Sequence, residues 1–299
     1  MLVTGAAGFV GRSVMARLRG SHEAIGLDVV PGSGVDVCGD LRDAAVLAQA
    51  FAGGVDAVIH LATVPGGAAE RDPALAWAVN VDGTRALADA AMAASSGARP
   101  TRFVFASSIA VFGDPLPALI DDATPCSPRL LYGAHKAMME TWLQARTLRG
   151  EVAALSLRLP GILARPRGSA ALKSAFISDL FHALAAGESI TLPVSPAATI
   201  GVMSVPRLAA NLQHALEGTA TGTMNLPALH VTMADLVAAV AAATDADPEQ
   251  VSWSPDEALE AQFGRFPPLR ADRAAALGFR ADDDVAALVD AALAAIGRP

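Results

Sequence analysis

The sequence predicts an α/β protein with a Rossmann-type, doubly wound parallel sheet and a smaller C-terminal part. Two observations predict this class. Short apolar runs alternate with amphipathic helical stretches through the first half of the chain, which is typical of βαβ units. The first apolar run also leads directly into a glycine-rich turn, as the first strand of a dinucleotide-binding fold does. We expect residues 1–160 to form a nucleotide-binding domain and residues 161–299 to be mainly substrate-binding, with some segments returning to the main sheet.

The elements follow from the periodicity of the apolar residues. The predicted strands are residues 1–4, 23–28, 56–61, 102–107 and 152–159. The predicted helices between them, with apolar residues at i, i+3 and i+4, are residues 10–18, 41–51, 73–94 and 131–149. After Pro160 the pattern is interrupted by proline, glycine and serine. Residues 202–217 are expected to return to the main sheet, and residues 233–244 and 284–296 to form helices.

Composition argues against several classes of protein. The net charge of −8 and the lack of a basic run argue against a nucleic-acid partner. Cys38 and Cys126 form no Cys-x-x-Cys pattern, so neither a disulfide framework nor a metal site is expected. The uncharged stretch 189–206 contains three prolines and is not expected to cross a membrane. The first residues enter a strand without a signal-peptide pattern, and we therefore expect a cytoplasmic protein.

Gly5, Gly8 and Gly11 stand at a G-x-x-G-x-x-G spacing between a predicted strand and a predicted helix. Such glycines permit a tight turn that brings backbone N–H groups and a helix N-terminus to a pyrophosphate. Asp28 closes the next strand, where a carboxylate accepts hydrogen bonds from ribose hydroxyls and repels the additional phosphate of NADP. Neither arginine nor lysine occurs in residues 29–33. The sequence therefore predicts NAD rather than NADP as the cofactor.

A tyrosine and a lysine carry the predicted chemistry. Tyr132 is the only tyrosine in the chain, and it stands four residues before Lys136, one of only two lysines. On a helix this spacing puts both side chains on one face. A nearby positive charge lowers the pKa of a phenol, usually about 10, by about 1–3, which makes Tyr132 a usable acid or base for a hydroxyl proton. At the end of a predicted strand, Ser108 is favoured over Ser107 as the hydroxyl that holds the substrate oxygen.

These residues together resemble the extended short-chain dehydrogenase/reductase family, the NAD-dependent epimerases and dehydratases. Other matching segments are residues 39–41, 60–62, 80–84 and 158–160. The resemblance implies NAD contacts from Gly5, Gly8, Phe9, Val10, Gly11, Asp28, Asp40, Leu41, Leu61, Ala62, Asn80, Tyr132, Lys136 and Pro160. It places Lys136 at the nicotinamide ribose. It also implies a homodimer that forms through the helices containing residues 80–94 and 132–148.

Within the family, residues 35–40, 107–117, 158–160 and 224–227 resemble members that oxidise a four-carbon sugar acid with NAD. This resemblance implies oxidation of a secondary hydroxyl of a small sugar acid. The candidate substrate contacts are hydroxyl or arginine side chains near the expected nicotinamide position: Thr63, Ser108, Arg165 and Arg167. The sequence departs from that group at Gly161, where a hydroxyl residue is expected, and at residues 199–201, where an arginine and a bulky aromatic are expected.

Two other functions remain open at this point. A nucleotide-sugar 4-epimerase or dehydratase would use the same tyrosine, lysine and serine but would retain its cofactor and show no net redox change. A noncatalytic NAD-sensing protein would have the same fold, but it could dispense with the pair of Tyr132 and Lys136. The presence of that pair therefore favours an enzyme.

Overall fold

The computed structural model describes residues 1–95, 100–167 and 175–297. Its strands are β1 (Leu2–Thr4), β2 (Ile25–Asp28), β3 (Val37–Cys38), β4 (Ala57–His60), β5 (Arg102–Ser108), β6 (Ala153–Leu159), β7 (Gly161–Ile162), β8 (Ile190–Leu192), β9 (Thr199–Met203), β10 (Gly222–Asn225), β11 (Leu229–Thr232) and β12 (Val251–Trp253). Its α-helices are α1 (Phe9–Leu18), α2 (Ala44–Phe51), α3 (Gly66–Arg71), α4 (Pro73–Trp77), α5 (Thr84–Ala93), α6 (Leu131–Leu148), α7 (Ala175–Ala186), α8 (Val205–Glu217), α9 (Met233–Thr244), α10 (Glu257–Phe263), α11 (Asp272–Ala276) and α12 (Val285–Ala295).

Within the described ranges, the central sheet has seven strands in the order β10-β6-β5-β4-β1-β2-β3. Every neighbouring pair in it is parallel. The order reverses beside β1, which in doubly wound sheets opens a crevice at the carboxyl ends of the strands. The predicted Rossmann-type fold class is confirmed.

Helices cover both faces of this sheet because each helix buries one apolar side. On one face, α1 and α8 contribute buried residues such as Met15 and Leu212. On the other face, α2, α5 and α6 contribute residues such as Leu47, Leu87 and Leu143. Both faces of the sheet are therefore dry, as a parallel sheet requires.

A second apolar core lies in the C-terminal part of the chain. It joins α7, α9 and α12 to β9 through buried residues such as Phe181, Val240, Leu288 and Val202. The strands here form a β11-β9-β7 sheet and a β12-β8 pair. β10 also comes from the part of the chain after residue 160, and it pairs with β6 at the edge of the main sheet.

The structure differs from the predicted elements at two helices that border the site. The helix predicted for residues 41–51 begins at Ala44, because the Asp43 side chain accepts the Ala45 N–H at 2.8 Å and caps the helix there. The helix predicted for residues 73–94 is divided by a π-helical turn at Ala78–Gly83. Such turns insert an extra residue into a helix and are frequent at functional sites.

Two short strands of the central sheet were not predicted from the sequence. β3 and β10 belong to the central sheet and are 2 and 4 residues long, but neither is a continuous apolar run that would predict a strand. No helix among the described residues is long and apolar enough to cross a membrane.

Candidate active site

The glycine turn between β1 and α1 has the geometry that a pyrophosphate site requires. Gly5 has a positive φ of 72°, and a Cβ there would lie 2.8 Å from the Ala62 nitrogen. A Cβ on Gly11 would lie 2.0 Å from the Gly5 carbonyl oxygen. No side chain caps the start of α1, so the N–H groups of its first turn remain available for an anion. The residues present therefore fit a dinucleotide.

Asp28 is fixed beside that turn at the carboxyl end of β2. Its Oδ2 accepts the Ala7 N–H at 2.9 Å, and its Oδ1 accepts the Val30 N–H at 3.0 Å. These two bonds orient the carboxylate and leave lone pairs free, since a carboxylate has about four acceptor sites. This geometry suits the ribose hydroxyls of the adenosine half of NAD.

Asp40 and Leu41 follow β3 on the same side of the sheet. Asp40 is paired with Arg42, whose Nη2 lies 2.5 Å from Oδ2, and this hydrogen bond lowers the pKa of the Asp40 carboxyl. Leu41 is buried, and a Cβ on Gly83 would lie 2.5 Å from its Cδ1. Leu41 is thus packed tightly against the π-helical turn.

Asn80 lies in that turn and holds the loop after β4. Its Oδ1 accepts the Val64 N–H at 2.7 Å and the Thr63 hydroxyl at 2.9 Å, while its Nδ2 donates to the Val64 carbonyl at 2.9 Å. The hydroxyl of Thr63, a predicted substrate contact, therefore donates its proton to a hydrogen bond that stabilises this loop. The same loop carries Leu61 and Ala62, which lie beside the glycine turn.

The remaining candidate cofactor contacts lie along the same edge of the sheet. Phe9 and Val10 begin α1, Tyr132 and Lys136 are on the first turns of α6, and Pro160 follows β6. Because the seven strands are parallel, their carboxyl ends bring these segments together. The structure thus gathers the predicted residues at one edge.

Ser107 and Ser108 have different surroundings although they are neighbours in β5. Ser107 is buried and donates its hydroxyl to Glu140 at 2.5 Å. The Ser108 hydroxyl accepts the Ala110 N–H at 3.1 Å and lies in the cavity with Tyr132. The choice of Ser108 as the substrate-facing hydroxyl therefore agrees with where the two side chains lie.

Lys136 is buried beneath Tyr132. Its Nζ donates to the Ala106 carbonyl at 2.7 Å, and it lies 4.6 Å from the ring centroid of Phe105 and 5.5 Å from that of Tyr132. Burial lowers the pKa of Lys136 to about 7, against the opposing effect of Glu140. The ammonium is thus held close to the tyrosine ring by a backbone acceptor.

Besides Lys136, a second cation, Arg165, acts on the phenol of Tyr132. Burial raises the pKa of Tyr132 above its ordinary value, and the charge of Arg165 and the hydroxyl of Ser108 only partly offset this rise. Arg165 follows β7 and lines the same cavity. The sequence predicted that Lys136 would lower this pKa; the pKa is instead raised by burial, and Arg165 is the charge that opposes the rise.

A cavity of about 670 Å³ opens beside Tyr132 and Ser108. Its charged lining residues are Glu70, Asp114, Arg129, Arg165 and Arg265. Arg167, a predicted substrate contact, is not among the lining residues. Its guanidinium is exposed, lies 2.6 Å from Glu188 and donates to the His182 carbonyl at 3.0 Å.

The sequence reading missed Arg265 because no spacing connects it to Tyr132. The segment that carries it is paired with β9: the Thr199 N–H donates to the Gly264 carbonyl at 2.7 Å, and the Phe266 N–H donates to the Thr199 carbonyl at 3.1 Å. Gly161, Ile200 and Gly201, where the sequence departs from its nearest subgroup, also line the cavity. Within the described ranges, no group of three histidine, cysteine or acidic residues is arranged to hold a metal ion.

Comparison with curated proteins identifies close relatives. The chain is 37% identical over 308 residues to D-erythronate dehydrogenase of Cupriavidus necator, and the alignment covers 94% of each chain. It is 31% identical over 237 residues to D-erythronate dehydrogenase of Haemophilus influenzae, with 77% of this chain and 74% of that protein covered. A UDP-glucose 4-epimerase of Streptomyces lividans is 30% identical over a shorter region that covers 56% of this chain and 53% of the relative.

Solved structures have the same fold. A nucleoside-diphosphate-sugar epimerase of Agrobacterium tumefaciens has a TM-score of 0.86 and 29% identity, covering 96% of this chain and 91% of the other. A GalE-like L-threonine dehydrogenase of Cupriavidus necator, at 24% identity, has a TM-score of 0.85 and covers 98% of each chain. The family model described as "NAD dependent epimerase/dehydratase family" matches residues 1–248. By this match and by the curated relatives, the chain belongs to the NAD-dependent epimerase/dehydratase family, and its cofactor is NAD.

Proposed function

We propose that the protein is a dehydrogenase that uses NAD to oxidise a secondary hydroxyl of a small sugar acid, with D-erythronate as the first substrate to test. The observation that carries this function is the position of Tyr132 in the cavity, beside Ser108 and above Lys136. The two D-erythronate dehydrogenases support the class of substrate, since one of them matches over 94% of its length.

The chain's own residues perform the proton transfer. Ser108 holds the substrate hydroxyl by a hydrogen bond, and Tyr132, as phenolate, takes the hydroxyl proton. Lys136 would stabilise the site with its charge and would hydrogen-bond the ribose of a bound NAD. When bound, NAD supplies the acceptor for the hydride that leaves the same carbon. The carbon–oxygen bond becomes a carbonyl, and the proton remains on Tyr132.

We propose that residues 1–160 supply the cofactor contacts and the base, while residues 161–299 supply most of the contacts to the rest of the substrate. The cavity supports this division because its walls come from both parts. Ser108 and Tyr132 belong to the first part, and Arg165, Ile200 and Phe266 to the second. A substrate in this cavity would contact both parts at once.

We also propose a homodimer formed through α4, α5 and α6. Large apolar side chains are exposed on two of these helices: Leu75, Trp77, Leu131, Met138 and Leu148. α4 and α6 contact each other, so their exposed side chains can contribute to one surface. Sedimentation of the purified protein should give twice the monomer mass of 30.4 kDa. A Met138→Glu variant should sediment as the monomer, and a wild-type monomer would refute the dimer.

The function is tested by mixing the purified protein with NAD and a panel of four- to six-carbon aldonic and uronic acids while NADH absorbance is followed. Net NADH formation with D-erythronate supports the dehydrogenase. Tyr132→Phe should lower the turnover number by about 10²–10⁴.

Other outcomes would select the rival functions. Copurified NAD that does not exchange, with interconversion of a nucleotide sugar and no net NADH, would identify an epimerase; loss of water from that sugar would identify a dehydratase. Binding of NAD without turnover of any substrate in either panel would identify a noncatalytic NAD sensor. Each of these results would refute the sugar-acid dehydrogenase.

A further inference from the structure

The backbone of Arg165 makes hydrogen bonds to α7, whereas its guanidinium makes none to the described residues. Its N–H donates to the Ser178 hydroxyl at 3.2 Å, and its carbonyl lies 2.6 Å from His182 Nε2, so α7 fixes its position. No hydrogen bond or ion pair joins its guanidinium to any residue within the described ranges. The guanidinium lies in the cavity, where burial lowers its pKa and the Tyr132 phenol raises it.

The other charged groups around the cavity have hydrogen-bond or ion-pair partners of their own, or exposed side chains. Asp114 pairs with Arg129 at 3.3 Å, and Glu70 accepts the Leu131 N–H at 2.7 Å. Lys136 donates to the Ala106 carbonyl beneath the Tyr132 ring, and Arg265 has an exposed side chain. Among the charged groups of the described residues, Arg165 is the one that opposes the rise that burial causes in the pKa of Tyr132.

We propose that Arg165 is a further catalytic residue, whose guanidinium binds the carboxylate of the substrate and also stabilises the phenolate of Tyr132. A partly buried cation without an anion is unfavourable, and a bound carboxylate supplies the missing partner. The planar guanidinium has five N–H donors, enough to contact a carboxylate and a phenolate together. The carboxylate half of this role rests on the proposed function, whereas the phenolate half does not.

The role of Arg165 in the oxidation is an electrostatic one. The substrate carbon loses a hydride to NAD, and its hydroxyl loses a proton to the Tyr132 phenolate, so one carbonyl forms and Tyr132 becomes neutral. Arg165 stays protonated throughout. Its charge increases the fraction of Tyr132 that is phenolate before the reaction, and its contact with the carboxylate holds the reacting carbon near the base.

The phenolate half can be tested without any substrate because Tyr132 is the only tyrosine in the chain. The ultraviolet absorption of tyrosinate therefore reports the ionisation of this one side chain, read directly after a pH jump and before alkaline unfolding. Arg165→Gln should raise the pKa of Tyr132 by about one pH unit or more, because a nearby opposite charge is removed. Arg165→Lys, which keeps the charge, should stay close to the wild type.

Arg167→Gln is the matched control, since it removes an exposed guanidinium two residues away that is paired with Glu188. It should leave the pKa of Tyr132 unchanged. If Arg165→Gln leaves that pKa at the wild-type value, the phenolate half is wrong. If Arg165→Gln does not fold, Arg165→Met is titrated instead, with the same expected rise and the same contradicting result.

The carboxylate half is tested by steady-state kinetics with D-erythronate. Arg165→Gln should raise KM about ten- to a hundredfold, the range expected for loss of a hydrogen bond between charged groups. Arg165→Lys should recover part of that loss. An unchanged KM in Arg165→Gln would overturn this half. If the wild type oxidises no sugar acid, the proposed function fails, and the tyrosine titration still decides the phenolate half.

Discussion

The Thr4 hydroxyl and the Nδ1 atom of His60 are 2.6 Å apart in the interior, joining the end of β1 to the end of β4 beneath the glycine turn. His60 Nε2 lies 2.8 Å from the Thr84 hydroxyl, which donates to the Asn80 carbonyl at 2.7 Å. Because Thr84 uses its proton there, Nε2 donates to Thr84, and in a neutral ring Nδ1 then accepts the Thr4 hydroxyl. Burial keeps His60 neutral by lowering its pKa, so these neighbours select this one tautomer.

This arrangement predicts an acid dependence of stability. Burial, with a smaller effect from Lys136, lowers the pKa of His60 to about 3 from the ordinary value of 6.5. The unfolded chain binds a proton at this position below pH 6.5 and the folded chain does not. The contribution is thus complete above pH 6.5 and is lost at up to about 1.4 kcal/mol per pH unit as the pH falls toward 3.

His60→Gln keeps a donor and an acceptor but cannot be protonated in this range. Urea unfolding between about pH 7 and pH 4 should show a weaker fall in the free energy of unfolding for the variant than for the wild type. Parallel pH dependences of the two proteins would show that His60 does not titrate in this way.

The buried ion pair of Glu140 with Arg158 should be essential for stability. The two side chains are only 5% and 8% exposed and lie 2.9 Å apart. Glu140→Gln leaves a buried guanidinium without its anion, and we expect a loss of about 3–5 kcal/mol in the free energy of unfolding. Arg149→Gln is the control, because its pair with Glu151 lies at the surface, where solvent screens the charges, and its loss should change the free energy of unfolding little. Similar losses in both variants, measured by urea unfolding, would contradict this difference.

Gly11→Ala should weaken cofactor binding. The new Cβ would lie 2.0 Å from the Gly5 carbonyl oxygen, so the turn or the start of α1 must shift. We expect the Kd for NAD, measured by calorimetry, to rise at least about tenfold, because backbone N–H groups that contact a pyrophosphate lose their positions. Gly53→Ala, where a Cβ would meet nothing within 4 Å, should bind NAD as the wild type does. Normal NAD binding by Gly11→Ala would rule out this turn as the pyrophosphate site.

Asp28 should determine the preference for NAD. The wild type should use NAD with a much higher kcat/KM than NADP, because the oriented Asp28 carboxylate repels a 2′-phosphate. Asp28→Asn should lower the kcat/KM for NAD by about tenfold and reduce the difference between the cofactors. Steady-state kinetics with both cofactors measure this, and equal use of NADP by the wild type would contradict it.

Local patterns predicted the parts of the fold that local physics specifies. The glycine turn, five of the seven strands of the central sheet, and α6 with its Tyr132-to-Lys136 spacing were predictable because periodicity and backbone conformation depend on neighbouring residues. Ser107 and Ser108 have different surroundings because successive side chains of β5 point to opposite faces of the sheet. The π-helical turn around Asn80 was not predictable, because the hydrogen bonds that stabilise it join Asn80 to a loop 16 residues away.

The sequence by itself determined the fold class, the cofactor turn and the spacing of tyrosine and lysine, because each is encoded by residues close together in the chain. The tertiary structure alone decided which arginine faces Tyr132. Arg165 and Arg167 are two residues apart and chemically identical, but the carbonyl of one is held by His182 with its guanidinium in the cavity, while the guanidinium of the other pairs with Glu188. Charge acts through space, and distances between segments far apart in sequence are set only when the chain is packed.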